Sequence, residues 1–248
     1  MGCDKELPYI IEKREFVTPG ELLAEGDFNA GKNTYREGGK IYASRLGLVN
    51  HVGKNVYIVA LKGAYMPSSG DLIIGKVIDM RLSGWIVDIS APYTAMLFTS
   101  DAMGRSFNAR RDEMTDYLDV GDLVLAKVFA VDRTRDPVLS VRENGLGKIT
   151  HGHVIKILPA KIPRVIGKKG SMINLVKRET DSYITIGQNG LILVSGRKPE
   201  MEALAIKAIH MIEEDAHITG LTDRVSEMLT KEKEKIMPNV ERKEQANE

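Results

Sequence analysis

The 248-residue sequence has little that would suit a secreted, membrane-spanning or metal-dependent protein. It contains one cysteine, Cys3, which allows neither an internal disulfide nor a cysteine-based zinc site, so a reducing cytoplasm is the expected location. No apolar run reaches the roughly 18–20 residues needed to cross a bilayer. The first residues also lack the apolar region of a secretory signal. We therefore expect no membrane partner, no metal and no cofactor.

Net charge is also nearly absent, but only as an average over the chain. Lys and Arg total 35 and Asp and Glu total 34, for a formal charge of +1. By segment, basic and acidic residues number 9 and 8 in 1–66, 9 and 12 in 67–147, 10 and 2 in 148–198, and 7 and 12 in 199–248. A basic stretch of this kind is typical of proteins that bind a phosphate backbone.

Length and composition predict a protein of two or three domains with ordinary globular cores, since 43% of residues are hydrophobic and 28% are charged. Short runs rich in Val, Ile and Tyr between Gly and Asn predict strands in the first half. The expected organisation is an all-β N-terminal domain (1–66), a five-stranded OB-fold barrel (67–147), an α+β domain (148–218) and a charged, partly disordered tail (219–248).

The α+β domain carries the most informative pattern. Its sequence predicts the order strand–helix–helix–strand–strand–helix, with Gln188-Asn189 as a hairpin turn between two strands. Pro199 suits the first turn of the last helix, and the apolar residues that follow repeat at helical spacing.

Between the first two predicted helices the sequence reads VIGKKGSMI, residues 165–173. Gly167 and Gly170 would let a sugar–phosphate chain approach the bare backbone, and the following helix would point its N–H groups at a phosphate. Lys168 and Lys169 would add attraction without reading sequence. A simple turn between helices is the alternative. A G-x-x-G loop within this element order resembles the eukaryotic-type (type I) KH domain, which clamps nucleotides with that loop.

The resemblance implies a set of RNA-binding residues in this domain, namely Gly167, Lys168, Lys169 and Gly170 of the loop, with Lys161 and Arg164 before it. Exchange of Gly167→Asp together with Lys168→Glu is expected to weaken RNA binding and to leave the fold intact.

The preceding barrel resembles the RNA-binding domain repeated in ribosomal protein S-one. The matching residues are Gly75-Lys-Val77, Gly84-Trp85-Ile-Val87-Asp88-Ile89, Gly121-Asp122 and Leu139-Ser140-Val141-Arg142. Such barrels bind single strands through stacking aromatics and cations. The candidates are Trp85, Arg81, Lys127, Arg105, Arg110 and Arg111. For Trp85 a buried core indole is an equal alternative.

The N-terminal domain adds Val17-Thr-Pro19-Gly20-Glu21, Gly31-Lys-Asn-Thr34-Tyr35 and Ile41-x-Ala43-Ser44. With the two domains that follow, it resembles the KH-bearing RNA-binding cap subunit of the archaeal exosome over residues 8–218. Asn33 stands where that family is expected to have Gly.

The family implies a non-catalytic subunit. Three copies would sit on a hexameric ring of RNase PH-like subunits, in mixed caps beside a zinc-ribbon cap subunit, and would guide the 3′ end of single-stranded RNA to the ring. The N-terminal domain would dock on that ring.

Two other functions fit parts of the sequence. Asp112, Glu113, Asp116 and Asp119 could suggest a metal-dependent nuclease, and His151 and His153 a metal site, but neither set has the spacing of metal ligands. A stand-alone RNA-binding transcription or translation factor would use the same modules. Only the N-terminal motifs favour the ring-bound cap over that alternative.

Overall fold

The computed structural model describes residues 15–61, 63–102, 113–132, 135–216, 218 and 220–245, with side chains described as far as residue 235. By internal contacts the chain divides into two compact units between Gly63 and Ala64. Among the described residues, no helix combines the length and the apolar character needed to span a membrane.

The N-terminal unit consists of strands, which confirms the all-β prediction. Its sheets have the strand orders β1-β6-β7-β3 and β2-β5-β4. Val17, Phe28, Ile41 and Ile58 are among the buried residues between them. The strands are β1 (Phe16–Val17), β2 (Leu22–Glu25), β3 (Asn29–Ala30), β4 (Thr34–Glu37), β5 (Lys40–Ala43), β6 (Gly47–Val52) and β7 (Asn55–Ala60).

At position 33, where the resemblance predicts glycine, the N-terminal unit has asparagine. Its φ is +61°, a left-handed conformation that Asn adopts more readily than other residues with a side chain. The side-chain Nδ2 donates to the carbonyl oxygen of Ile58 at 2.9 Å, and its own carbonyl accepts from the amide of Ser44 at 3.0 Å. Asparagine therefore supplies the turn that glycine would allow and also bonds it to β7.

The second unit begins with the OB-type barrel, as predicted. Its closure is made by β12, which pairs in parallel with β10 and antiparallel with β11. The barrel elements are β8 (Leu72–Arg81), β9 (Gly84–Asp88), β10 (Thr94–Phe98), α1 (Thr99–Ala102), α2 (Met114–Tyr117), β11 (Leu123–Ala130), β12 (Val138–Ser140) and β13 (Gly147–Lys148).

The KH-type domain follows in the predicted order. Its sheet has the antiparallel order β14-β16-β15, and helices bury apolar residues such as Val165, Val176 and Ile209 in a core with strand residues Ile184 and Ile192. The elements are β14 (His153–Lys156), α3 (Ile162–Ile166), α4 (Ser171–Thr180), β15 (Ser182–Ile186), β16 (Leu191–Gly196), α5 (Pro199–Glu214) and α6 (Leu221–Gln245).

Helix α6 occupies most of the segment that the sequence analysis assigned to a charged tail. Leu221, Val225 and Leu229 belong to the buried KH core, and their spacing of four residues places them on one face of the helix. Ion pairs also link Glu232 to Lys207 of α5 at 3.2 Å and Lys233 to Glu179 of α4 at 3.8 Å. The helical core of the domain therefore extends beyond residue 218. Residues 246–248 lie outside the described part of the chain.

The KH hairpin turn packs directly on the barrel, and Asn189 is the centre of this contact. Its side chain is 1% exposed, and Nδ2 donates to the carbonyl oxygens of Ile74 at 2.6 Å and Ile89 at 2.9 Å. The amide of Gln188 donates to the carbonyl of Leu72 at 2.7 Å. A Cβ on Gly187 would lie 3.1 Å from the amide nitrogen of Ile74. The turn that the sequence predicted is thus also the junction between two domains.

Inside the KH domain, Glu202 connects the start of α5 to two strands. Its carboxylate accepts from the amide of Gly196 at 2.7 Å and lies 2.8 Å from Nδ1 of His153. The residue is 8% exposed. The hydrogen bond from Gly196 and, after it, the contact with His153 hold the pKa of Glu202 below its usual value of 4.5.

Replacement of Asn189 by Ala should lower the free energy of unfolding by about 2–3 kcal/mol, because it leaves two buried carbonyls unpaired. The fluorescence of Trp85, the only tryptophan, follows urea unfolding of the barrel. Gln188→Ala is the matched control, since that side chain is exposed and its backbone amide remains. Equal stabilities for the two variants would contradict the role of Asn189.

Glu202→Gln should reduce stability by about 1–2 kcal/mol at neutral pH. Because the folded-state pKa is depressed, the ionised carboxylate stabilises the fold above about pH 4.5 and loses this effect as the pH falls further. The difference from wild type should therefore shrink in urea titrations at pH 3. Glu214→Gln, at an exposed position of the same helix, serves as control. A difference that does not change with pH would contradict this account.

Candidate nucleic-acid interface

The loop between α3 and α4 makes a tight turn with three residues at positive φ. Gly167 has φ +74° and ψ +177°, Lys169 has φ +55° and ψ +29°, and Gly170 has φ +80° and ψ +9°. The amide of Gly167 donates to the carbonyl of Pro163 at 3.0 Å, and the amide of Gly170 donates to that of Gly167 at 3.2 Å. We call residues 167–170 the GKKG loop.

Gly167 is needed for the fold as well as for access by a ligand. Its φ and ψ lie in a region that is essentially open to glycine alone. A Cβ would also stand 2.8 Å from both the amide nitrogen and the Cβ of Met172. The expectation that Gly167→Asp leaves the fold intact is therefore wrong. At Gly170 a Cβ would meet only the side-chain amide of Asn174, at 3.3 Å.

The GKKG loop has a buried base and a charged, exposed tip. Val165 and Met172, on either side of it, belong to the KH core, so the ends of the loop are fixed. Lys168 and Lys169 are both exposed, and neither ammonium group forms an ion pair or hydrogen bond with a described residue. Two uncompensated positive charges therefore project from a rigid backbone turn.

Lys161 and Arg164 lie before the loop and already have partners. Lys161 Nζ donates to the backbone carbonyl of Glu213 at the end of α5, at 2.7 Å. Arg164 Nη2 donates to the carbonyl of Ile218 at 2.8 Å. Both bonds go to neutral oxygens and leave the positive charge in place. The exposed Arg164 can thus add to the field of the GKKG loop, whereas the half-buried Lys161 also secures α5.

In the barrel, the interpretation of Trp85 as a base-stacking residue is wrong. The indole is fully buried in the barrel core, and its Nε1 donates to the carbonyl of Leu118 at 2.8 Å. The ring lies 5.8 Å from that of Tyr117. Alternation along β9 turns Trp85 and Val87 inward, so the alternative of a core indole is correct.

The other barrel candidates differ from the GKKG lysines in having acidic neighbours. Arg81 lies 3.9 Å from Asp79, and Lys127 lies 2.7 Å from Glu143. These carboxylates reduce the attraction for phosphate. The remaining candidates, Arg105, Arg110 and Arg111, lie outside the described residues, and their contact with RNA stays a prediction.

The acidic residues considered for metal binding have local roles. Asp119 accepts from the amide of Val120 at 2.7 Å, and its own amide donates to Asp122 at 2.8 Å. Glu113 precedes α2 and Asp116 lies within it, while Asp112 is outside the described residues. In the described part of the chain, no three His, Cys, Asp or Glu side chains form a group able to hold a metal ion.

Three family models match consecutive parts of the chain. The N-terminal domain of the exosome RNA-binding protein RRP4 matches residues 14–62, the S1 domain of RRP4 matches 64–130, and the KH domain matches 152–214. The GKKG loop lies within the KH match.

Two proteins named as exosome components are similar in sequence to this chain over most of its length. Exosome complex component Rrp4 of Pyrococcus furiosus is 42% identical over 88% of this chain and 84% of its own length. The protein of the same name from Nitrosopumilus maritimus is 44% identical over 91% of this chain and 100% of its own. A crystal structure of a protein assigned to the exosome complex as RNA-binding has 41% identity and a TM-score of 0.66, and covers 69% of this chain and 98% of that chain.

Proposed function

The chain belongs to the Rrp4 family of exosome components, and from that premise we propose that it is a non-catalytic RNA-binding cap subunit of the exosome. It recruits single-stranded RNA and guides the 3′ end to a ring of phosphorolytic nuclease subunits for 3′-to-5′ degradation. The observation that carries this proposal is the GKKG loop, a tight turn with two partly exposed glycines and two exposed lysines that have no partner among the described residues.

The loop is suited to a ribose–phosphate chain for three reasons. Gly167 and Gly170 present backbone without a Cβ, so a phosphate can come close to the amide groups. Helix α4 begins at Ser171, directly after the loop, and the N-terminal end of a helix favours a negative charge. Lys168 and Lys169 supply positive charge that attracts the phosphates of RNA regardless of its base sequence. The loop therefore grips RNA without cutting it.

We assign no catalytic role to the described residues. Among their carboxylates, Glu202 accepts a hydrogen bond from the amide of Gly196, and Asp119 accepts one from the amide of Val120. The RNase PH-like subunits of the ring cleave the RNA. This chain raises the effective concentration of RNA at the ring, because a strand that it holds rebinds before it escapes.

The N-terminal unit offers a surface for docking on that ring. On the outer side of the sheet β1-β6-β7, Phe16 is 66%, Leu46 50%, Val59 42% and Leu61 39% exposed. Leu48 lies between Phe16 and Val59 across neighbouring strands, so the patch is continuous. We call these five residues the apolar face. A contiguous exposed apolar patch of this kind marks a protein interface, and the occupant we assign is a ring subunit.

The assembly that follows from this proposal has three copies of the chain on a hexameric ring, in the cytoplasm. The zinc-ribbon cap subunit shares positions with it in mixed caps. The sequence supports the cytoplasmic location through its single cysteine.

The double variant Lys168→Glu, Lys169→Glu should weaken binding of a single-stranded oligonucleotide about 10- to 100-fold at low salt, because two phosphate contacts become repulsive. For the wild type, log affinity should fall with log salt at a slope of roughly −2 to −3, and the variant should lose about one unit or more of that slope. Fluorescence anisotropy across a salt series measures both quantities.

The matched control is Lys231→Glu, Lys235→Glu, which makes the same charge change on the surface of α6. Those lysines are exposed and pair with Glu227 and Glu232 of the same helix, and ion pairs within one helix contribute little to stability. RNA affinity of the control should stay within about twofold of wild type. If the loop variant binds as tightly as this control, the GKKG loop does not contact RNA.

The apolar face is tested by Phe16→Asp combined with Val59→Asp. We expect the variant to remain folded and to lose co-elution with purified ring subunits in size-exclusion chromatography. Tyr183→Asp, at a 75% exposed position of the KH sheet, should still co-elute. Retained assembly of the double variant would rule out this face. Failure of the wild type to assemble would instead favour a stand-alone RNA-binding factor.

A further inference from the structure

The GKKG loop is carried by two helices, α3 before it and α4 after it. Its geometry therefore depends on how these helices are held relative to each other. Val165 and Met172 fix the two helices within the KH core. A second set of contacts reaches both helices from the end of α5, from the connection that follows it and from α6. The KH family match ends at residue 214, so most of this second segment lies beyond it.

On the α3 side, hydrogen bonds tie the chain before the loop to the end of α5. The amide of Leu158 donates to Oε1 of Glu213 at 2.8 Å, and Lys161 Nζ donates to the carbonyl oxygen of the same glutamate at 2.7 Å. Arg164, in the last turn of α3, donates from Nη2 to the carbonyl of Ile218 at 2.8 Å. Helix α3 is therefore fixed to the point where the chain turns from α5 toward α6.

The connection between α5 and α6 is held from both sides. The amide of Ile218 donates to the carbonyl of Asp215 at 2.9 Å. The Asp215 carboxylate lies 3.0 Å from Nη1 of Arg224, in the first turn of α6. Arg164 thus bonds the connection from α3, and Arg224 bonds it from α6.

On the α4 side, α6 packs directly against the helix that follows the loop. Leu221, Val225 and Leu229 are 2%, 0% and 0% exposed and belong to the core that α4 helps to form. We call these three residues the α6 stripe. At the end of α4, Glu179 also lies 3.8 Å from Lys233. Apolar burial contributes more than a partly exposed ion pair, so the α6 stripe is the main support that α6 gives to α4.

We propose that α6 is a positioning element for RNA binding: it holds α3 and α4 so that the GKKG loop keeps its conformation, and it does so without contacting RNA. Gly167, Lys169 and Gly170 have positive φ, and such a turn persists only while the structure around it fixes both ends. When this support weakens, the apparent affinity for RNA falls with the fraction of molecules whose loop is in the binding conformation. The inference rests on the proposed function in taking RNA as the ligand.

Val225→Ala should lower the affinity for a ten-nucleotide single-stranded RNA about fivefold at low salt, because the loop then spends most of its time in other conformations. The slope of log affinity against log salt should stay at the wild-type value, since no charge is lost. Fluorescence anisotropy of the full chain across a salt series measures both quantities. A slope reduced as in Lys168→Glu, Lys169→Glu would contradict the proposal.

Val194→Ala is the matched control. Val194 is also 0% exposed and belongs to the same core, but it lies in β16 of the sheet. The two variants remove the same groups from one core, so a purely structural effect would be alike in both. The control should bind RNA within about twofold of wild type. Equal affinities in Val225→Ala and Val194→Ala would overturn the proposal.

Native-state hydrogen exchange of the wild type tests the same idea without a substitution. As urea is raised, the amides of residues 165–173 should lose protection in the same step as those of the α6 stripe, because the two segments form one cooperative unit. Protection of residues 165–173 that persists after α6 has opened would overturn the proposal, whether or not Val225→Ala folds.

The positioning role and the proposed function fail in different ways. Full RNA affinity in Lys168→Glu, Lys169→Glu would exclude the GKKG loop from RNA binding and overturn both. Weakened binding in that variant, together with equal affinities in Val225→Ala and Val194→Ala, would leave the proposed function intact and overturn only the role of α6.

Discussion

The backbone conformation of Gly167 is the constraint on which the RNA-binding account depends. A φ of +74° with ψ near 180° is available to glycine, and Met172 leaves no room for a Cβ. This conformation ends α3 and starts the turn into α4, and the turn leaves Lys168 and Lys169 without partners among the described residues. The residue that permits close approach of a ligand thus also shapes the loop that carries the charge.

A rigid loop guides a strand only if its position relative to the rest of the protein is fixed. Asn189 provides this link, because it satisfies two barrel carbonyls from a KH turn. Ile74 is fully buried yet lies outside the barrel core cluster, which fits its position under that turn. Barrel and KH domain therefore act as one platform.

Most of the architecture could be predicted because it depends on local patterns. Strand runs, the helix–GKKG–helix order and Pro199 at the start of α5 are visible in the sequence. Three features were not visible in the sequence, the first two because they depend on tertiary contacts. The sequence of β9 does not show whether Trp85 faces the barrel core or the solvent, because that depends on how the barrel closes. Asn189 has the sequence signature of an ordinary turn residue, and its role depends on the barrel carbonyls that it contacts. The buried stripe of α6 was hidden by the charge around it.

The central claim is that this chain holds RNA with the backbone of the GKKG loop. A crystal structure of the full chain with a short single-stranded RNA tests it most directly. The account predicts a phosphate against the amides that follow Gly167, with Lys168 or Lys169 beside it. A well-ordered RNA bound elsewhere, with the loop packed against protein, would contradict it.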